Sequence, residues 1–217
     1  MSVFTQEPPH FLVIGGKPYR INTDFRIMAD FEIRINEADI SDRNTFAEIL
    51  SETISALFID KPDVPCHTSE IVSRLMWYFR CGKEAESGGS EGKKRKRCYD
   101  LAYDSEYIYA AFMQQYGIDL LTAELHWWTF RSLFLGLTEE TEFVKIMQYR
   151  CTDVSKIKNK DEKARIKKLQ ELFALKEHKI RRFASLADRN TAYREHIKQR
   201  YAEVKRLAKE HGGDVNG

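Results

Sequence analysis

His126, Trp127, Trp128 and Arg131 fall within six positions of the most aromatic stretch of the chain, "YIYAAFMQQYGIDLLTAELHWWTFRSLFLGL", residues 107–137. An imidazole can move a proton near neutral pH. A guanidinium can grip a carboxylate or phosphate, and an indole face can hold a cation. A catalytic reading would need a nucleophile for His126 to activate, and no Ser, Cys or Asp stands at a suitable spacing. At ~100° per residue, positions 120–135 make a helix that is apolar around most of its circumference, the pattern of a buried central helix. The predicted helix runs from Thr122 to Leu135 and stops at Gly136. Thr122, His126 and Thr129 form its polar strip, so His126 and Thr129 are expected at a surface or a partner contact. Trp127, Trp128, Arg131 and Phe134 are assigned to the core. A buried Arg131 needs a carboxylate; Glu106 and Asp104 on a neighbouring helix are the candidates, with a cation–π contact beside them.

Other chemistry finds little support. The four cysteines, Cys66, Cys81, Cys98 and Cys151, contain no C-x-x-C pair and are expected as reduced thiols. Cys66-His67 lacks a second ligand pair, so no metal site is expected. There is no Walker motif, dinucleotide fingerprint, nucleophile elbow or H-E-x-x-H, and neither an enzyme nor a cofactor is expected. Glu139, Glu140 and Glu142 sit where a helix would start, and its dipole accounts for them.

The elements that must position these residues are mostly helical. "FLVI" and "KPYRI" flank Gly15-Gly16 and predict an N-terminal hairpin over residues 1–22. Pro18 confines the second strand to a position bonded on one side. A helical domain is expected over 23–155. Thr23 or Asp24 caps its first helix, with Phe25, Met28, Ala29 and Phe31 facing inward. Asn44 or Thr45 starts a second that ends before Pro62, and Thr68 caps a third carrying Ile71, Val72, Leu75, Met76 and Phe79. Asp104 opens a helix that Gly117 ends, and Thr138 caps one through "EETEFVKIMQYR".

Residues 82–97, "GKEAESGGSEGKKRKR", read as a flexible basic loop within that domain. Its Lys93–Arg97 run has the form of a nuclear localisation signal, but short basic runs are common on solvated loops. Residues 156–211 form a basic helical extension with 18 Lys/Arg against 8 Asp/Glu, a net charge of +10. The first 155 residues carry 17 against 24, a net of −7. Tyr193, Ile197, Tyr201, Val204 and Ala208 make a narrow apolar seam on the extension, suited to packing on its own body or to a partner. Residues 212–217 are expected to be disordered. Such a charge split suits nucleic acid, an acidic protein or a neighbouring copy, although the seam has few stacking aromatics for single strands. No apolar run is long enough for a membrane span and "MSVFTQEPPH" is not a signal peptide, which places the chain in the cytosol.

"YDLAYDSEYIYAAFMQQYGIDLL" and "LHWWTFRSLFLGLTEETEFVKIMQYRCTDVSKIKNK", together with "IDKPDV" and "WYFRCGKE" before a basic loop, closely resemble the bacteriophage gene-product-fifteen family. The resemblance covers residues 11–175; the basic segment after about Ala184 carries no matching motif. Members are small proteins of siphophages and prophages of Gram-positive bacteria, encoded between the major tail protein and the tape-measure protein. The resemblance therefore implies a non-catalytic tail assembly chaperone. It would bind the tape-measure protein in the host bacterial cytoplasm and be absent from the mature virion. A second copy and the major tail protein are further candidate partners. On this reading His126, Thr129, Tyr193, Ile197, Tyr201 and Val204 are the candidate partner-binding residues. A structural completion or connector protein is the alternative, and a nucleic-acid-binding protein a weaker one.

Overall fold

The computed structural model describes residues 7–38, 42–62, 64–84, 97–175 and residue 195. Strands β1 (Phe11–Ile14) and β2 (Lys17–Arg20) form an antiparallel hairpin with Ile14 opposite Lys17. Gly15 and Gly16 both have positive φ, +56° and +76°, which is what a two-residue turn of this hand requires. Leu12 and Ile14 are buried while Phe11 and Val13 face outward, the alternation of a sheet with one covered face.

Seven α-helices follow among the described residues: α1 (Phe25–Glu37), α2 (Arg43–Leu57), α3 (Val64–Phe79), α4 (Ser105–Tyr116), α5 (Trp127–Leu135), α6 (Glu142–Cys151) and α7 (Lys160–Leu172). The protein is mainly helical with a small N-terminal hairpin. Asp24 caps α1 through the Arg26 N–H, and Gly117 closes α4 in the left-handed conformation, both as the sequence predicts. Elsewhere the ends move. Asp42 caps α2 ahead of the expected Asn44 or Thr45. Thr141 rather than Thr138 precedes α6; the Thr141 hydroxyl turns back to the Thr138 carbonyl at 2.8 Å. The chain leaves helical geometry at His67 (φ −131°), so the regular part of α3 begins at Thr68, one residue earlier than a Thr68 cap would place it.

The helix expected from Thr122 begins only at Trp127. The preceding turns are held by outside bonds that a helix could not make. Arg26 Nη2 donates to the Leu120 carbonyl at 2.6 Å, and the Phe25 N–H donates to the Leu125 carbonyl at 3.0 Å. Carbonyls that would have bonded forward along a helix are instead spent on α1.

A second correction concerns the cysteines. Cys98 and Cys151 are joined as a disulfide, their Cα atoms 5.5 Å apart, although reduced thiols are the sequence expectation. Fifty-three residues separate them, and only the packing of α6 against the start of α4 brings them together. The chain divides into two compact units, 1–178 and 179–217. In the first, α7 packs on α6: the Gln170 side-chain amide donates to the Tyr149 and Thr152 carbonyls, and Phe173 stacks on Tyr149. The central part of the 82–97 loop, the seam residues Tyr193, Ile197, Tyr201 and Val204, and the 212–217 tail lie outside the described residues.

Candidate functional site

His126 and the residues after it stand where α1, α3, α5 and the hairpin meet. Asp24 and His126 form an antiparallel bridge that brings the starts of α1 and α5 together, with the Trp127 N–H on the Thr23 carbonyl at 3.0 Å. His126 is the N-cap of α5. The Trp128 N–H can only donate, so the His126 Nδ1, 3.0 Å away, accepts; Nε2 then carries the proton and donates to the Pro9 carbonyl at 3.1 Å. Both ring nitrogens are occupied, and the acceptor bond at Nδ1 requires the neutral ring. Burial holds the imidazole below its ordinary value of 6.5; His10 nearby works in the same direction and the Pro9 bond works against it. The side chain is half-buried rather than on an open polar strip.

The indoles that follow finish α3. Trp127 Nε1 donates to the Phe79 carbonyl and Trp128 Nε1 to the Tyr78 carbonyl, each at 2.9 Å. The last carbonyls of a helix have no partner within it, and here two consecutive tryptophans supply one each. Phe130 then stacks between Phe25 and Phe112 at centroid distances of 4.5 and 5.2 Å, and Phe134 meets Phe143 at 5.4 Å. Trp127, Trp128, Phe130 and Phe134 are all buried, so the core assignment of the aromatic residues holds.

Arg131 is inside, as expected, but its partners differ from those expected. Its Nη1 lies 3.2 Å from the Tyr99 hydroxyl and 3.6 Å from Glu32 Oε2, and the guanidinium sits 5.5 Å from the Trp127 and Phe134 ring centroids. The Tyr99 hydroxyl donates to Glu32 Oε1 at 2.9 Å, closing a three-residue chain. Burial opposes the charge of Arg131, but Tyr99 and Glu32 outweigh it and raise its pKa. Glu32 escaped the sequence reading, although one signal was present. It lies seven positions after Phe25 and four after Met28, on the apolar face of α1, where a carboxylate calls for a cation.

Of the two candidates for Arg131, Asp104 belongs to another cation. Its carboxylate receives Arg150 Nη1 at 2.6 Å and Nη2 at 2.8 Å, and both side chains are almost fully buried. Asp104 precedes α4 without capping it by a side-chain bond; instead it takes the Asp100 N–H at 2.9 Å. Arg150 spends its other donors on the Phe173 and Cys98 carbonyls. Glu106 is part-buried in the first turn of α4.

Cys81 is half-buried, and burial pushes its thiol up, away from the reactive thiolate. Burial likewise raises the Tyr78 hydroxyl, which has no hydrogen-bond partner among the described residues. No group of three or more metal-ligating side chains occurs among the described residues, and none of their helices is long and apolar enough to cross a membrane. Thr129 is exposed on the outer face of α5, which ends in Leu135, 67% exposed; on α4 Tyr107 and Met113 also face outward.

No curated protein and no solved structure matches the sequence. Over residues 9–175, the whole of the described body apart from two residues at its start, it matches the family described as Bacteriophage Gp15 protein. With that span reaching from the hairpin through α7, the chain belongs to the bacteriophage Gp15 protein family.

Proposed function

We propose that the protein is a non-catalytic tail assembly chaperone that binds the tape-measure protein and keeps it soluble in the host cytoplasm until tail protein polymerises around it. The observation that carries this reading is the match to a bacteriophage family across the folded body. The finer role follows from the tail-module gene position that the family resemblance implies. The site chemistry is consistent with a binding protein, since His126, Arg131 and Asp104 are committed to internal bonds. A tape-measure chain is long, helical and amphipathic, and such a helix lays its apolar face on exposed apolar side chains. Thr129 and Leu135 on α5, and Tyr107 and Met113 on α4, are exposed candidates for that contact.

The test is to express the tape-measure protein with and without this chain, and to recover the tagged chain from phage-producing cells for mass spectrometry. The chaperone reading expects more soluble tape-measure protein, its co-purification, and no copies of this chain in mature particles. Stoichiometric recovery in virions would make it a completion or connector protein instead. Recovery of nucleic acid alone would direct attention to the basic extension.

A further inference from the structure

The two edges of the hairpin are finished differently. On the outer side of β2, the Arg20 carbonyl accepts the Ile59 N–H at 3.0 Å, its N–H donates to Asp60 Oδ2 at 3.3 Å, and the Asn22 N–H reaches the Leu57 carbonyl at 2.7 Å. That end of the edge is covered, and toward the turn Pro18 offers no N–H for a further strand. On β1 the alternation runs the other way. Pro18 has no N–H and the Ile21 N–H bonds the His10 carbonyl, so Phe11–Arg20 and Val13–Pro18 are the pairs without mutual hydrogen bonds. The N–H and C=O groups of Phe11 and Val13 therefore point away from β2, and they have no partner among the described residues. The Phe11 and Val13 side chains are 54% and 46% exposed. Between Phe11 and Ile14 there is no charge, proline or bulge, the usual guards of an open edge.

This edge is also held in place. The Pro9 carbonyl before it accepts His126 Nε2, the Gly15 N–H after it donates to Glu70 Oε2 at 2.9 Å, and Leu12 and Ile14 are anchored in the core. A strand already fixed loses little freedom when it pairs.

We propose that β1 pairs antiparallel with β1 of a second copy, across a two-fold axis through Leu12. Phe11 then stands opposite the partner subunit's Val13, and the outward groups of the two residues form four N–H···O=C bonds across the axis. The exposed apolar side chains of the two copies meet, and the two hairpins become one four-stranded sheet. A second copy is the occupant because the edge meets its own requirement. Two apolar residues placed symmetrically about Leu12 present the same pattern from either side, as an isologous contact must. With the β2 edge covered at one end and short of a donor at the other, nothing remains to propagate, and the assembly closes as a dimer. Strands of four residues cover less than the ~1,200 Å² at which stable interfaces begin, so the dimer is weak and depends on concentration. The inference is independent of the chaperone reading, and either can fail alone.

The test is sedimentation equilibrium of the full chain from low micromolar to several hundred micromolar, joined to amide hydrogen exchange. Two outcomes are expected: the mass rises toward that of a dimer with concentration, and the Phe11 and Val13 amides, which serve no bond within the hairpin, become protected in step. Val13→Lys adds a charge to an outward position and leaves the core alone. It should raise the dimer Kd at least tenfold with an unchanged melting transition. A chain that stays monomeric throughout, or a Val13→Lys variant that associates as well as the wild type, overturns the proposal. So does amide protection that is independent of concentration and lost on deleting residues 1–6, since the edge would then belong to the chain's own N-terminus.

Discussion

Burial holds the His126 pKa low, and its Nδ1 accepts the Trp128 N–H, a bond that only the neutral ring can make, while the Nε2 bond to the Pro9 carbonyl works the other way. A base whose folded pKa lies below its unfolded value binds more protons when unfolded, so stability is full above 6.5 and falls as pH drops through the folded value. We expect the midpoint of urea unfolding to decline below pH 6.5. His126→Asn keeps a capping acceptor for the Trp128 N–H and should flatten that decline; an unchanged pH profile would place its origin elsewhere. The Asp104–Arg150 pair has a different consequence. Arg150→Met keeps much of the bulk but leaves a carboxylate buried without a cation, which costs about 3–5 kcal/mol. Chemical denaturation should register that loss. The carboxylate on the apolar face of α1 was a signal that the sequence reading missed, and the pairing left no signal at all. Nothing in residue spacing says that Asp104 goes to Arg150 and Glu32 to Arg131, because both choices are made by which helices touch.

At the scale of elements, the hairpin turn was readable because glycine is the residue that enters two successive positive-φ positions without penalty. Its two glycines are not equivalent. A Cβ on Gly15 would lie 2.8 Å from the His67 ring, whereas one on Gly16 would meet nothing within 4 Å. Each alanine substitution carries about 1–2 kcal/mol from the left-handed backbone. Gly15→Ala should therefore lower the melting temperature more than Gly16→Ala, since His67 must also move. Equal shifts would mean that His67 gives way freely. The start of α5 was not readable. Residues 120–126 have helical periodicity, yet Arg26 and Phe25 of α1 take the carbonyls of Leu120 and Leu125, and the helix begins after them.

At the scale of the molecule, the Cys98–Cys151 bond ties the chain just before α4 to the end of α6, beside the Arg150 that also holds the Cys98 carbonyl. Closing a loop of this length stabilises by about 2–4 kcal/mol, chiefly by restricting the unfolded chain. Unfolding in urea with and without reductant should differ by that amount, and a Cys98→Ser/Cys151→Ser double variant should be indifferent to reductant. The opposition of an acidic body and a basic extension is likewise a property of the whole chain, and its salt dependence in any partner complex follows from screening.

The sequence by itself determined the secondary-structure classes, the hairpin turn, the caps at Asp24 and Gly117, the aromatic core of α5 and the family resemblance. These rest on periodicity and on backbone chemistry that acts within a few residues. Only the tertiary structure decided the rest: that His126 caps α5, that Trp127 and Trp128 satisfy the end of α3, that Arg131 finds Glu32 and Tyr99, and that Cys98 meets Cys151. Each of these joins residues far apart in the chain. Such contacts form because a buried donor, acceptor or charge must be satisfied by whatever the packing of helices brings within reach, and that neighbour is set by the fold as a whole.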